Sequence, residues 1–243
     1  MNAEPAPRAP GARRRAWRAL LIAALAAGTL LAADGILTIV WQEPVTAYMQ
    51  HRRQADLQRD LARLDARYAQ IGAPATAVAP AASADSAAAE LRRRTRRSAL
   101  SLLHARDAGQ ALGRLEIPAI GLKTVMVEST TGGALRRGPG HYRGTVLPGL
   151  DGTVGIAGHR TTYGAPFRHV DELRAGSRIM LRMPYGSFTD RVTGSRITTP
   201  DDASSLRSRA GTQRLVLTAC HPLYSAAKRI VVSARLVSEA PRA

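Results

Sequence analysis

Three hydrophobic textures succeed one another along the chain. From Ala19 to Trp41, 23 residues hold six Leu, three Ile, one Val and a single charge, Asp34. A run of that length spans a bilayer. Each large apolar side chain favours insertion by roughly 0.3 to 0.6 kcal/mol, against a cost of roughly 2.5 to 3.5 for an acid at mid-membrane. The sum is favourable, and Asp34 lies toward the C-terminal end, so a transmembrane helix is predicted over residues 19–41, with Trp41 at the interface. A cleaved signal peptide is the competing reading, because Ala24-Leu25-Ala26 resembles a small-residue cleavage site. Apolar character resumes at Ile36, which favours retention. Arg8, Arg13, Arg14, Arg15 and Arg18 precede the span and almost no cation follows it closely. Residues 1–18 are therefore expected in the cytoplasm and the rest of the chain outside.

The second texture is helical. Leu57, Leu61, Leu64 and Tyr68 recur among Arg, Asp and Gln at the spacing of one helix face, which predicts a stalk helix over residues 42–71. Its thin stripe suits a solvated helix as well as a dimer seam. Residues 72–90 are mostly Ala, Pro and Ser and read as a linker, followed by the basic run Arg92, Arg93, Arg94, Arg96 and Arg97. The linker and Arg run thus occupy 72–97, and the run reads as a solvated cluster ahead of a site for lipid headgroups or wall polymer.

The third texture occupies residues 98–243. Ser98 to Leu112 suits one helix on the outside of a barrel. Beyond Gly113, short β-rich runs alternate with Gly, Pro and Asp: 114–117, 124–127, 153–157, 178–181, 188–197, 214–217 and 230–237. Evenly spaced short strands without long helices indicate a mainly β barrel or sandwich and exclude a doubly wound α/β sheet.

Composition narrows the function. The net charge of +17 divides into about +7 over residues 1–110 and +10 over 111–243, so the β domain is itself basic and suits anionic partners. Aromatics are only 4%, which argues against stacking platforms for nucleic acid. One cysteine, Cys220, excludes an internal disulfide framework, and no His pair has a close ligand spacing, so neither a metal site nor a cofactor is expected.

Reactive side chains gather where apolar runs meet turns: Gly158-His159-Arg160-Thr161-Thr162-Tyr163-Gly164, then Leu217-Thr218-Ala219-Cys220-His221-Pro222, then Lys228-Arg229-Ile230-Val231. Cys220 taken alone is ambiguous, since free cysteines are usually buried. A cysteine nucleophile needs a proton partner and an oxyanion donor, roles that suit histidine and arginine. With reference pKa values of about 8.5 and 6.5, an unperturbed Cys–His pair is mostly neutral at pH 7. His51 and His104 fall on helices, leaving His141, His159, His169 and His221. His221 points away from its neighbour on an extended strand, while His159 ends an apolar run beside glycine. Cys220 and Arg229 flank the short loop 221–228 and so come within reach on antiparallel neighbours.

The order Gly-His-Arg-Thr-Thr-Tyr-Gly, Leu-Thr-Ala-Cys-His-Pro, Arg-Ile-Val-Val behind an apolar N-terminal span resembles the sortases, most of all the class E type of actinobacteria, over about residues 113–238. The resemblance implies an eight-stranded barrel and a cysteine transpeptidase without cofactor. It implies that Cys220 attacks the threonine carbonyl of a Leu-(Pro or Ala)-x-Thr-Gly signal, that His159 is the acid and later the base, and that Arg229 holds the oxyanion. An amine of a peptidoglycan precursor or of another protein would resolve the acyl-enzyme. Thr162 and Tyr163 would wall the substrate groove with Thr218. One departure stands out: Ala219 occupies a position where the family usually has threonine. Two alternatives remain. A basic β module that binds anionic wall polymer needs no thiol, and an L,D-transpeptidase would carry a His-Gly lead into its cysteine.

Overall fold

The computed structural model describes residues 11–40, 44–72, 84–208 and 211–242. The chain divides into two units, Met1–Val45 and Thr46–Ala243. The first carries one helix, α1 (Gly11–Val40), in which Arg14–Ala33 has a mean hydropathy of 1.7 and is long and apolar enough to cross a membrane. Trp41 lies outside the described residues.

The second unit is a closed barrel of eight strands: β1 (Ala111–Ile117), β2 (Leu122–Glu128), β3 (Gly140–His141), β4 (Gly152–Ala157), β5 (Arg178–Met183), β6 (Gly186–Thr198), β7 (Gln213–His221) and β8 (Lys228–Pro241). Their order around the barrel is β1-β2-β3-β4-β7-β8-β6-β5. The pairs β2/β3 and β4/β7 are parallel and the others antiparallel. Alternation sends Leu215, Leu217 and Ala219 of β7 into the core with Ile230 and Val232 of β8, and Ile179 of β5 and Phe188 of β6 join them. Seven of these strands coincide with the β-rich runs of the sequence; β3, two residues long, has no alternation to reveal it.

The helices depart from expectation. α2 (Pro44–Gly72) is no free stalk or dimer seam: Leu57, Leu61, Leu64 and Tyr68 belong to the barrel's core cluster. Polar side chains on α2 fix its register. Gln54 Oε1 accepts from Val125 N at 2.9 Å, and Asp60 Oδ2 accepts from Ala111 N at 3.0 Å while pairing with Arg106 at 2.8 Å. α3 (Ala84–Ala105) absorbs the Arg run into a regular helix rather than a linker, and begins before the helix anticipated from Ser98. Its face of Thr95, Ala99 and Leu102 is buried, so the arginines project outward, where Arg94 and Arg97 both pair with Glu90. The rest of the Ala-Pro-Ser linker, residues 73–83, lies outside the described residues.

Candidate active site

The parallel ladder of β4 and β7 keeps one offset from Gly152↔Gln213 to Ala157↔Thr218. It closes with Gly158 N donating to Thr218 O at 3.0 Å. Extended two residues past the ladder, the same offset would set His159 level with Cys220. On the other side of β7, Cys220 pairs with Arg229 of β8. Directly opposed residues share a face of the sheet. Since Ala219 points into the core, Thr218, Cys220 and Arg229 lie on the outer wall of the barrel, where Cys220 is partly exposed. The hydroxyl absent at Ala219 would therefore have faced the core and not this wall.

Local packing explains the Gly-His junction. A Cβ on Gly158 would come within 2.6 Å of the Phe167 ring, and Phe167 N donates to His159 O at 2.9 Å. The chain then turns through Tyr163, Gly164 and Ala165, all left-handed at φ 53°, 74° and 41°. A side chain at Gly164 would strike Gln50 of α2, so α2 backs this loop. The turn sets the Tyr163 ring 5.0 Å from the His159 ring at a tilt of 51°, and Thr162 Oγ1 lies 3.4 Å from His159 Nδ1. His159 Nε2 is shielded from solvent and makes no hydrogen bond among the described residues. Burial, and then the Arg136 cation, push the His159 pKa below its usual value. The Arg136 guanidinium sits over the Tyr163 ring, 5.7 Å from its centroid, in a cation–π contact.

Of the remaining expected residues, Thr218 is 7% exposed and its Oγ1 lies 2.9 Å from Tyr142 OH, so the two form the wall together. Arg229 is half-buried and donates from Nη1 to Ala226 O and Lys228 O, each at 3.0 Å. His141 is structural: fully buried, it bonds Glu128 Oε2 at 2.9 Å through Nδ1. His169 pairs at the surface with Glu172.

Arg136, Arg160 and Tyr142 were not singled out by the sequence. Arg160, beside His159, is 2% exposed and reaches Asp171, Arg168 O, Cys220 O and His221. Its only sequence signal is adjacency to His159. Above it, Arg168 Nη2 donates to Tyr224 OH at 3.3 Å, joining the loops on either side of Cys220.

The family model for the sortase domain matches residues 115–237, which is half of the chain and holds all three segments of the site. The chain belongs to the sortase family. It is 34% identical to sortase D of Bacillus subtilis over 135 residues, 54% of this chain and 67% of that one. It is 28% identical to sortase SrtE1 of Streptomyces coelicolor over 151 residues, 56% of this chain but only 43% of that protein. Among solved structures, sortase E of Streptomyces avermitilis superposes with a TM-score of 0.51 at 31% identity, covering 56% of this sortase and 93% of that chain. Further matches bear class A, C and F names, so the class E likeness read from the motifs is not singled out.

Proposed function

We propose that this sortase is a membrane-anchored transpeptidase that cleaves a Leu-(Pro or Ala)-x-Thr-Gly sorting signal between Thr and Gly and passes the protein to an amine. The reading rests on the pairing of Cys220 with Arg229 across β7 and β8, and on the β4/β7 offset, which, extended two residues past the end of that ladder, sets His159 level with Cys220. The sulfur of Cys220 attacks the threonine carbonyl carbon, and the developing oxyanion is met by the Arg229 guanidinium. The C–N bond breaks as His159 gives its proton to the leaving glycine amine, leaving a thioester on Cys220. An acceptor amine of a peptidoglycan precursor or another protein then attacks the thioester. Its proton passes to His159, and the C–S bond breaks to release the Cys220 thiolate beside the imidazolium, the pair from which the cycle began. A lowered His159 pKa makes the imidazolium a stronger acid for the amine, at the cost of a smaller protonated population at neutral pH. Tyr163, Thr162 and Thr218 line the path of the signal. The arginines before the apolar stretch, Arg8, and Arg13, Arg14, Arg15 and Arg18 in the first turns of α1, support a cytoplasmic N-terminus and an external barrel, with α1 as a retained anchor in the plasma membrane.

The test uses the full chain in detergent with fluorogenic Leu-Pro-x-Thr-Gly and Leu-Ala-x-Thr-Gly peptides, with and without an added amine. The expected result is an amine-dependent ligated product that Cys220→Ala abolishes. Turnover that persists in Cys220→Ala contradicts the reading.

A further inference from the structure

We infer that Arg160 is a positioning residue, a buried pin that holds His159 and Cys220 in register beyond the point where the strands cease to do so. The main-chain ladder between β4 and β7 stops at Gly158 and Thr218, one residue short of the histidine and two short of the cysteine. Past that point the Arg160 guanidinium ties the two segments together from the buried side, below the exposed Arg168–Tyr224 bond. Nη1 donates to Cys220 O at 3.4 Å and lies 3.3 Å from His221 Nδ1. Nε and Nη2 donate to Arg168 O at 3.3 and 3.1 Å, and Nη2 pairs with Asp171 Oδ2 at 2.8 Å. All three guanidinium nitrogens are thus committed, to acceptors on two separate segments, the loop after β4 and the end of β7.

Burying a cation this deeply is unfavourable unless it is paired and fully hydrogen-bonded. The Arg160 side chain is 1% exposed and Asp171 supplies the counter-charge, so the arrangement is built. Its fork meets acceptors in several directions, which the point charge of lysine does not reproduce. Because catalysis is sensitive to small displacements of reacting groups, loss of the pin acts on the chemical step more than on peptide binding. The kinetic arm of this inference rests on the transpeptidase reading; the arm on thiol reactivity does not.

The experiment compares parent, Arg160→Lys and Asp171→Asn as full chains. It measures kcat and KM with the fluorogenic peptide, the pH profile of Cys220 alkylation by iodoacetamide, and Tm. We expect Arg160→Lys to lower kcat by about 10²-fold with KM within about threefold, and to shift the alkylation profile in protein that remains folded. Asp171→Asn, whose partner guanidinium stays in place, should lower kcat by about three- to tenfold. Unchanged alkylation profiles, with any loss confined to Tm, make Arg160 merely structural and overturn the inference. So does a kcat within twofold of the parent in both variants. If Arg160→Lys does not fold, the Asp171→Asn profile decides. If no variant or parent turns over peptide, the functional reading fails while the alkylation profiles still test the pin.

Discussion

Cys220 and Arg229 are cross-strand partners on β7 and β8, yet the Arg229 guanidinium is turned toward the carbonyls of Ala226 and Lys228 in its own loop. Both bonds are solvent-exposed, and such bonds contribute little net stability, so an anionic oxygen held above Cys220 competes well for the same donors. Arg229→Ala should therefore lower kcat by about 10² to 10³, the loss seen when an oxyanion donor is removed. Arg229→Lys should recover part of it through charge alone. Steady-state kinetics on the fluorogenic peptide checks both; near-normal kcat in Arg229→Ala removes the role.

The cluster of Arg136, Tyr163 and His159 gives a pH prediction. Burial and the Arg136 cation disfavour the charged imidazole, so the acid limb of kcat/KM should lie below the usual histidine value of about 6.5. Arg136→Ala removes one of those two causes. The His159 pKa should rise, and the acid limb should move toward higher pH. A limb unmoved or moved to lower pH in Arg136→Ala contradicts this account of the site.

Much of this was legible before any coordinates. Short β-rich runs between Gly, Pro and Asp marked seven strands, and the strand-loop-strand hairpin of Cys220 and Arg229 followed from chain order. The α2 stripe announced an apolar face but not its cover: Leu57 and Leu61 meet a core assembled from segments far along the chain. Arg160 was hidden for a similar reason. One arginine among many is exposed or buried according to partners some sixty residues away, and no local periodicity reports that. Arg136 and Tyr142 enter the site through the short loop and strand before β4, where the sequence has no regular pattern.

Asp190 sits on the inward face of β6 at an irregularity of the ladder, and burial pushes its pKa up to about 7. In the unfolded chain an aspartate titrates near about 3.9. The folded state therefore keeps a proton that the unfolded state releases between those values. The contribution is fully present below the lower value and is lost as pH rises through about 7. Asp190→Asn should leave Tm nearly unchanged at pH 4 and raise it by several degrees at pH 8. Thermal melts across that range decide; a Tm difference independent of pH contradicts the assignment.

Arg235 on β8 stands directly opposite both Arg214 of β7 and Arg191 of β6. Like charges in directly opposed positions are destabilising, by about 0.2 to 1 kcal/mol for each pair. Arg235→Glu converts both pairs to attraction and should raise Tm by about 2 to 4 °C. The gain should shrink in high salt, since the site is exposed. A Tm lowered by the substitution would show that the arginines are held apart by other bonds.

The central claim is that the Cys220 sulfur becomes acylated by the threonine of a sorting signal. Intact-protein mass spectrometry after incubation with Leu-Pro-x-Thr-Gly or Leu-Ala-x-Thr-Gly peptide, without acceptor amine, tests it directly. The account predicts an added mass equal to the peptide up to its threonine, mapped to Cys220, labile to hydroxylamine and missing in Cys220→Ala. Signal peptide cleaved with no thioester on Cys220 at any time, or an adduct carried elsewhere in the chain, would contradict it.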